Sequence, residues 1–457
     1  MKRTRRSAER QRRPLDDQPE RRDAPSFLDL LQGPALLAIF EELSPEYRRR
    51  LYSPAETLSM FLAQALAPDR SCQRAVNERA VQRVGAGLAP CSTNTGAYCQ
   101  ARQRLPQDLI SGLVRRSGRL LCENAPESWR WRGRRVLMID GTSVSMPDTA
   151  VNQEHFPQHS NQAPGLGYPI ARLVALFCLS SAALLDARHG AWSGKGSDEH
   201  THLRAMLDNL EGGDVLLGDA NFPSYWLLSA LIERGVDGVF EQIGGRRRHN
   251  DFRCGRRLGK LDHVIELARP RRPLWMDKDA YERVPRTLEV RETRVGSGKR
   301  ARVLVTTITT VKGASKGSLK KLYLERWHVE LDLRHLKSTL GMDVLGSRTP
   351  EMIAKEIWVY LLAYNLIRLV MAQAAVSAAL SPRQLSFKHT VQLWSVWRSH
   401  SRLGNGEEVK ILLAMIVQKR VGRRPGRKEP RAVKRRPKCF VRLWAPRQIA
   451  RRHIQRL

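Results

Sequence analysis

The chain has 457 residues, enough at roughly 100–200 residues per domain for about three folding units with real cores, which excludes a small disulfide-stapled scaffold. Lys and Arg number 79 against 45 Asp and Glu, a net charge of +34 on an ordinary 42% hydrophobic composition, and such an excess points to a polyanionic partner. The longest apolar run, 357–367, is about half the ~20 residues of a membrane-spanning helix, and no apolar run follows the basic start Met1-Lys2-Arg3-Thr4-Arg5-Arg6, so we expect no membrane span, no secretory signal and a bacterial cytoplasmic protein.

Residues 1–24 hold nine Lys or Arg and no apolar periodicity, the composition of a disordered basic arm. Residues 25–130 read as a helical DNA-binding domain. Leu28, Leu31, Leu36, Leu37 and Phe40 recur at three- and four-residue steps, and Ser53-Pro54 starts a second helix. Arg102, Arg104, Arg115, Arg116 and Arg119 make the later helices basic, which suits either a helix presented to DNA or a plain bundle with a solvated face.

At Val136 the period changes. Strands are expected at 136–139, 172–180, 183–188, 215–218 and 236–243, with helices at 199–210 and 225–234. Three strands in a row followed by alternation describe a mixed α/β sheet with helical cover, spanning 131–243. Residues 244–301 read as a basic, β-rich insertion carrying Arg246-Arg247-Arg248 and a strand at 287–295. The core resumes over 302–380 with a strand at 302–307, a long helix at 318–340 and a helical stretch at 353–380. Residues 381–457 form a basic C-terminal region, where 418–457 carries 16 Lys or Arg against the single acid Glu429. Trp394 and Trp397, at helical spacing, are expected in a core. The seven cysteines include no Cys-x-x-Cys pair, so we expect reduced thiols rather than a zinc module.

Three acidic positions stand out. Asp140 ends the apolar run 136–139 before Gly141-Thr142, and a carboxylate leaving a buried strand needs a cation or donors. A turn Asp before Gly is the competing reading. Asp219 follows the strand 215–218 in Gly-Asp-Ala-Asn-Phe; Ser224 is placed to cap the next helix, which leaves Asp219 without a capping role at a strand end where ligands bind in open α/β sheets. Tyr323, Arg326, Glu330 and Lys337 fall within a helical stripe roughly 60° wide, about 80° from the apolar stripe of Leu322, Val329, Leu333, Leu336 and Leu340, and therefore at the edge of the core. Two aspartates and a glutamate make an all-oxygen site suited to Mg2+ or Mn2+, and two such ions can clamp the attacking and leaving oxygens of a phosphodiester. Arg326 and Lys337 would then hold phosphates on either side, with Tyr323 donating a hydrogen bond to one. Glu199-His200-Thr201-His202 is read as a helix start capped by Asp198 rather than as a metal site.

Asp140-Gly141-Thr142, Gly218-Asp219-Ala220-Asn221-Phe222 and the Tyr-x2-Arg-x3-Glu-x6-Lys helix, in this order, resemble the DDE transposases of bacterial insertion sequences, and within them the IS-four-type group. The resemblance covers about residues 44 to 345, with a similar stretch at 422–431. It implies a ribonuclease-H-like core interrupted by a β-rich insertion, with Asp140, Asp219 and Glu330 as catalytic metal ligands. It also implies hydrolytic nicking at the element's ends, excision through a hairpin in relatives, and transesterification into target DNA by a homodimer in a synaptic complex. Terminal inverted repeats and target DNA would be the partners, in the nucleoid. The group carries an insertion-domain tryptophan that stacks a flipped base, for which Trp275 is the candidate, with packing on a core as its competing role. An inactive transposase-derived DNA binder and a metal-dependent nuclease without strand transfer are the alternative functions.

Overall fold

The computed structural model describes residues 34–44, 51–194, 196–242, 251–298, 301–400, 406–422 and 445–454. The expected basic arm, Arg246 to Arg248 and most of the 422–431 stretch lie outside the described residues.

Among the described residues nine strands build one sheet: β1 (Val136–Ser145), β2 (Ile170–Cys178), β3 (Leu184–Ala191), β4 (Val215–Gly218), β5 (Asp237–Glu241), β6 (Arg256–Gly259), β7 (Asp262–Ala268), β8 (Thr287–Val295) and β9 (Arg302–Thr306). Their spatial order is β3-β2-β1-β4-β5-β9-β8-β7-β6. β1, β2 and β3 form an antiparallel meander, β4 and β5 add in parallel beside β1, and β9 returns antiparallel on β5. The strands between 244 and 301 pair onto β9 through β8, so they lengthen the core sheet instead of standing apart from it.

Helices α1 (Pro34–Leu43), α2 (Pro54–Leu66), α3 (Cys72–Gly85), α4 (Gly96–Arg104) and α5 (Gln107–Glu123) precede the sheet. Within it run α6 (Ala150–His155), α7 (Glu199–Arg204), α8 (Tyr225–Glu233) and α9 (Lys278–Arg283). After it come α10 (Lys316–Glu325), α11 (Trp327–Arg334), α12 (Pro350–Ser377), α13 (Phe387–His400), α14 (Gly406–Gln418) and α15 (Arg447–Ile454). The two-residue strand period sorts the core into two layers. Val136 and Met138 face Leu217 and the helices α2, α5, α11 and α12, whereas Leu137 and Ile139 face Leu216, Leu203 of α7 and Leu228 of α8. The N-terminal helices α2 and α5 thus share one apolar core with the sheet.

The central helix α12 is apolar on all sides because it is enclosed on all sides: Ile357, Tyr360, Leu361 and Tyr364 are fully buried. It is long and apolar enough to cross a bilayer, and burial within the protein accounts for that composition. Its Asn365 amide donates to the carbonyls of Val114 (3.0 Å) and Leu184 (2.9 Å) and its Oδ1 accepts from the Leu184 amide (2.9 Å), tying α5 to β3. Trp394 is buried in the same core, with Trp397 packed against it, as their spacing implied.

Three local expectations change. The single helix over 318–340 is α10, α11 and a π-helical turn, His335–Thr339, with a tight break at Arg326 where i→i+3 hydrogen bonds (Arg326 N to Tyr323 O, 3.1 Å; Val329 N to Arg326 O, 3.0 Å) replace the α pattern. The helix at 199–210 stops at Arg204, followed by a 3-10 turn. Two arginines of the basic N-terminal helices are engaged internally: Arg102 is buried over the Phe61 ring (4.0 Å), and Arg115 pairs with Asp186 (2.8 Å) above Trp358.

One buried ion network fixes α11. Asp332, with no exposed surface, accepts from Arg368 of α12 (2.7 Å) and from Arg383 (2.9 Å). Burial alone would raise its pKa, but the two guanidinium groups more than offset this and hold it below the ordinary carboxylate range. Replacing Asp332 by Ala leaves two buried cations without their counter-ion. We expect a loss of about 3–5 kcal/mol in urea unfolding; a loss below about 1 kcal/mol would mean that the network does not hold the helix.

Candidate active site

Strand register brings the two aspartates together. β1 pairs with β4 at Val136–Val215, Leu137–Leu216 and Met138–Leu217, and the same offset continued by two residues sets Asp140 beside Asp219. β1 does not end at Asp140: it runs on to Ser145 against β2, so Asp140 lies within the strand and the turn reading of Asp-Gly is set aside. β4 ends at Gly218, and beyond it the β4 side of β1 is open. Asp140 projects into that opening, its Oδ1 accepting from the Gly141 amide at 2.8 Å. Burial pushes the Asp140 carboxyl up to about 6; the Gly141 amide and Arg326 oppose the rise, and the negative charges of Asp219 and Glu199 add to it.

Asp219 heads a compact loop. Its Oδ1 accepts from the Asn221 amide (2.9 Å), and buried Phe222 anchors the loop below. Ser224 caps α8 by accepting from the Leu227 amide, which leaves the Asp219 carboxylate available as the sequence implied. Asn221 Nδ2 donates to Glu199 Oε2 (2.8 Å), and the Asn221 carbonyl meets His200 Nε2 (2.7 Å). Asp198 caps α7 through the Thr201 amide, as expected.

The third acid comes from α11, in the helical layer that covers the Asp140 face of the sheet. Leu322, Val329, Leu333, Leu336 and Leu340 are all buried, and this turns Arg326 and Glu330 toward the sheet. Arg326 donates to Glu330 Oε1 at 2.8 Å and stands 3.8 Å from Asp140 Oδ2, bridging the first and third acids. Lys337, carried by the π-helical turn, donates to Thr142 Oγ1 (3.2 Å), two residues beyond Asp140. Tyr323 is buried and its hydroxyl donates to Glu241 of β5 (3.3 Å), so it is engaged inside the fold rather than free for a phosphate. Trp275 is half exposed, 4.1 Å below the Arg204 guanidinium and edge-on to Trp226. Together with His200 it lines a cavity of about 480 Å3 beside the Asp219 loop, not a core.

Among the described residues no three His, Cys, Asp or Glu side chains converge on one point as they stand, and Glu330 is paired with Arg326. The donor set nonetheless fits a hard divalent cation. It is all oxygen, and Arg326 holds a positive charge between Asp140 and Glu330, where the acids call for one.

Residues 131–366 match the family model for the transposase DDE domain, and the chain belongs to this family of DNA-cleaving and DNA-transferring enzymes. It is 28% identical over 358 residues to the transposase InsG for insertion sequence element IS4 of Escherichia coli (strain K12), with 75% of this chain and 76% of that protein covered. Among solved structures it is similar to the piggyBac transposase in a synaptic complex with hairpin DNA, at 9% identity and a TM-score of 0.41, with 90% of this chain and 88% of that chain covered. Enzymes of the DDE family work with divalent metal ions, and DNA is the partner.

The raised Asp140 pKa has a stability consequence. Between its unfolded value near 4 and its folded value of about 6, the folded protein binds the extra proton, so metal-free stability falls as pH rises through this window. Asp140→Asn removes the effect. In metal-free urea unfolding we expect the variant to be about 2 kcal/mol more stable than wild type at pH 7.5 and equal to it at pH 4. A variant no more stable at pH 7.5 would contradict the burial argument.

Proposed function

We propose that this transposase cleaves the ends of its insertion sequence and transfers the freed strand into target DNA, using Asp140, Asp219 and Glu330 as ligands for two Mg2+ or Mn2+ ions. The observation that carries this reading is Arg326 spanning Asp140 and Glu330 while strand register aligns Asp219 with Asp140, which links three acids separated by 79 and 111 residues through one guanidinium and one pair of strands. The strand order β3-β2-β1-β4-β5, an antiparallel meander extended by parallel strands, supports a ribonuclease-H-like core, with 244–301 as its insertion. The helices over 25–130 would contribute to DNA binding, alongside the basic 1–24 and 381–457 segments.

In the first step water adds to the phosphorus at the element's end and the 3′ oxygen departs with a proton, freeing a 3′-OH. In the second that hydroxyl adds to a target phosphorus and the target's own 3′ oxygen departs. Bound divalent ions would acidify the attacking hydroxyl group and neutralise charge on the leaving oxygen. Burial of Asp140 strengthens its pull on a cation, since a low-dielectric site screens charge less. Arg326 would leave Glu330 for a DNA phosphate once a metal cation takes over the acids, and Lys337 would hold a second phosphate across β1. Tyr323 would take part in phosphate binding if the hydrogen bond to Glu241 were exchanged, and Trp275, half exposed beside the Asp219 loop, offers a face for a base. A homodimer would bring two inverted repeats together, acting on DNA in the cytoplasm at the nucleoid.

The reading is tested with a labelled insertion-sequence end, flanking DNA included, incubated with purified protein and Mg2+. We expect cleavage that leaves a free 3′-OH, needs the metal and falls about a hundredfold or more in Glu330→Gln. Specific binding without cleavage would overturn it. Arg326→Ala and Lys337→Ala should each reduce cleavage about tenfold or more while duplex affinity changes little, because the net charge of +34 supplies the general attraction. Equal loss of cleavage and binding would refute those two assignments.

A further inference from the structure

Glu199 belongs to none of the motifs that define the site, yet its carboxylate lies over β1 at the position next to Asp140. A Cβ placed on Gly141 would stand 2.2 Å from Glu199 Oε1 and 2.8 Å from its Cδ, so the glycine leaves room for this carboxylate at a strand position where Gly is otherwise unfavourable. Helix capping does not explain the arrangement, because Asp198 already serves as the N-cap of α7. Glu199 instead turns to the loop after β4, where Asn221 holds both neighbouring acids: its backbone amide binds Asp219 and its side-chain amide binds Glu199. Neither Asp219 nor Glu199 has an ion-pair partner among the described residues, although both lie close enough to Asp140 to act on its charge. Two unneutralised carboxylates bound to one asparagine beside a buried third leave a local excess of negative charge that a cation would relieve.

The sheet explains how residues from opposite layers can meet. Gly141 shares the face of Ile139, covered by α7 and α8, whereas Asp140 shares the face of Met138, covered by α11. Where β4 has ended, no paired strand among the described residues separates the two faces on that side of β1.

We propose that Glu199 is a fourth carboxylate of the metal site, reaching it from the α7 side and opposite Glu330 across β1. The proposal rests on the assignment of Asp140 and Asp219 as metal ligands. Four carboxylates supply two adjacent cations with more of the oxygen ligands they require than three can, and they give the pair anchors in both helical layers.

Mn2+ titration of the full-length protein without DNA, read by electron paramagnetic resonance, tests it. Glu199→Gln keeps the side-chain length and the acceptor for Asn221 but removes the charge. We expect Mn2+ affinity to fall about tenfold or more in this variant, with the metal-free protein no less stable than wild type. If Glu199→Gln binds Mn2+ as wild type does while Asp140→Asn binds it weakly, Glu199 only supports the loop and the proposal is overturned, with the active-site assignment intact. If Asp140→Asn also binds normally, the active-site assignment itself fails. Should the Gln variant unfold, Glu199→Ala, which loses both charge and hydrogen bond, is read in its place and must show at least the same loss of affinity.

Discussion

Like charges repel, and this fold holds carboxylates from distant parts of the chain within reach of one another. The restraint is the β1–β4 register, since a parallel ladder sets Asp140 and Asp219 side by side and a one-residue slip would turn them to opposite faces. Val136 to Ile139 and Val215 to Gly218 are buried on both faces, so the ladder lies inside the sheet and is closed off from solvent. Glu330 is positioned by a second restraint. Asp332, two residues further along α11 and about 200° around its axis, is locked between Arg368 and Arg383, so the opposite side of the helix must face the sheet. Arg326 then neutralises part of the charge between the two layers.

Under the proposed function Arg326 would also give the site two arrangements. Bound to Glu330 it occupies that carboxylate; on the proposed reading, release from Glu330 would free the guanidinium for a backbone phosphate. On the proposed reading, cation binding and phosphate binding would be coupled through this one side chain, since each favours the same displacement.

Much of this was legible in the sequence because the relevant signals are local. Unbroken apolar runs identify β1 and β4, Ser224 frees Asp219 from capping, and a helical stripe at the edge of the core marks Arg326 and Glu330. Long-range features were not legible. A periodicity of 100° per residue averages over the break at Arg326 and the π-helical turn at Lys337, since each displaces the pattern by less than the width of the apolar stripe. Charge counting cannot tell a solvated arginine from Arg102 on Phe61 or Arg115 on Asp186. Trp275 sits in a short hydrophobic stretch that suits a core, and only the fold shows it half exposed against Arg204. Glu199 is masked by Asp198, because a capped helix start already accounts for an acidic first turn. Gly141 held the one local sign of it: a glycine inside a buried strand marks the close approach of something else.

The order of these parts along the chain governs when the protein becomes competent during its synthesis. β5 finds its partner β9 only after about sixty further residues have been made, and Asp332 meets its two guanidinium partners later still, at Arg368 and Arg383. A ribosome-bound chain that has just completed Glu330 therefore carries Asp140, Asp219 and Glu330 but lacks the buried cations that orient the last of them. The ion network around Asp332 is complete only once Arg383 has been made, and a chain stopped before Arg368 would retain a charged group that its own interior cannot accommodate.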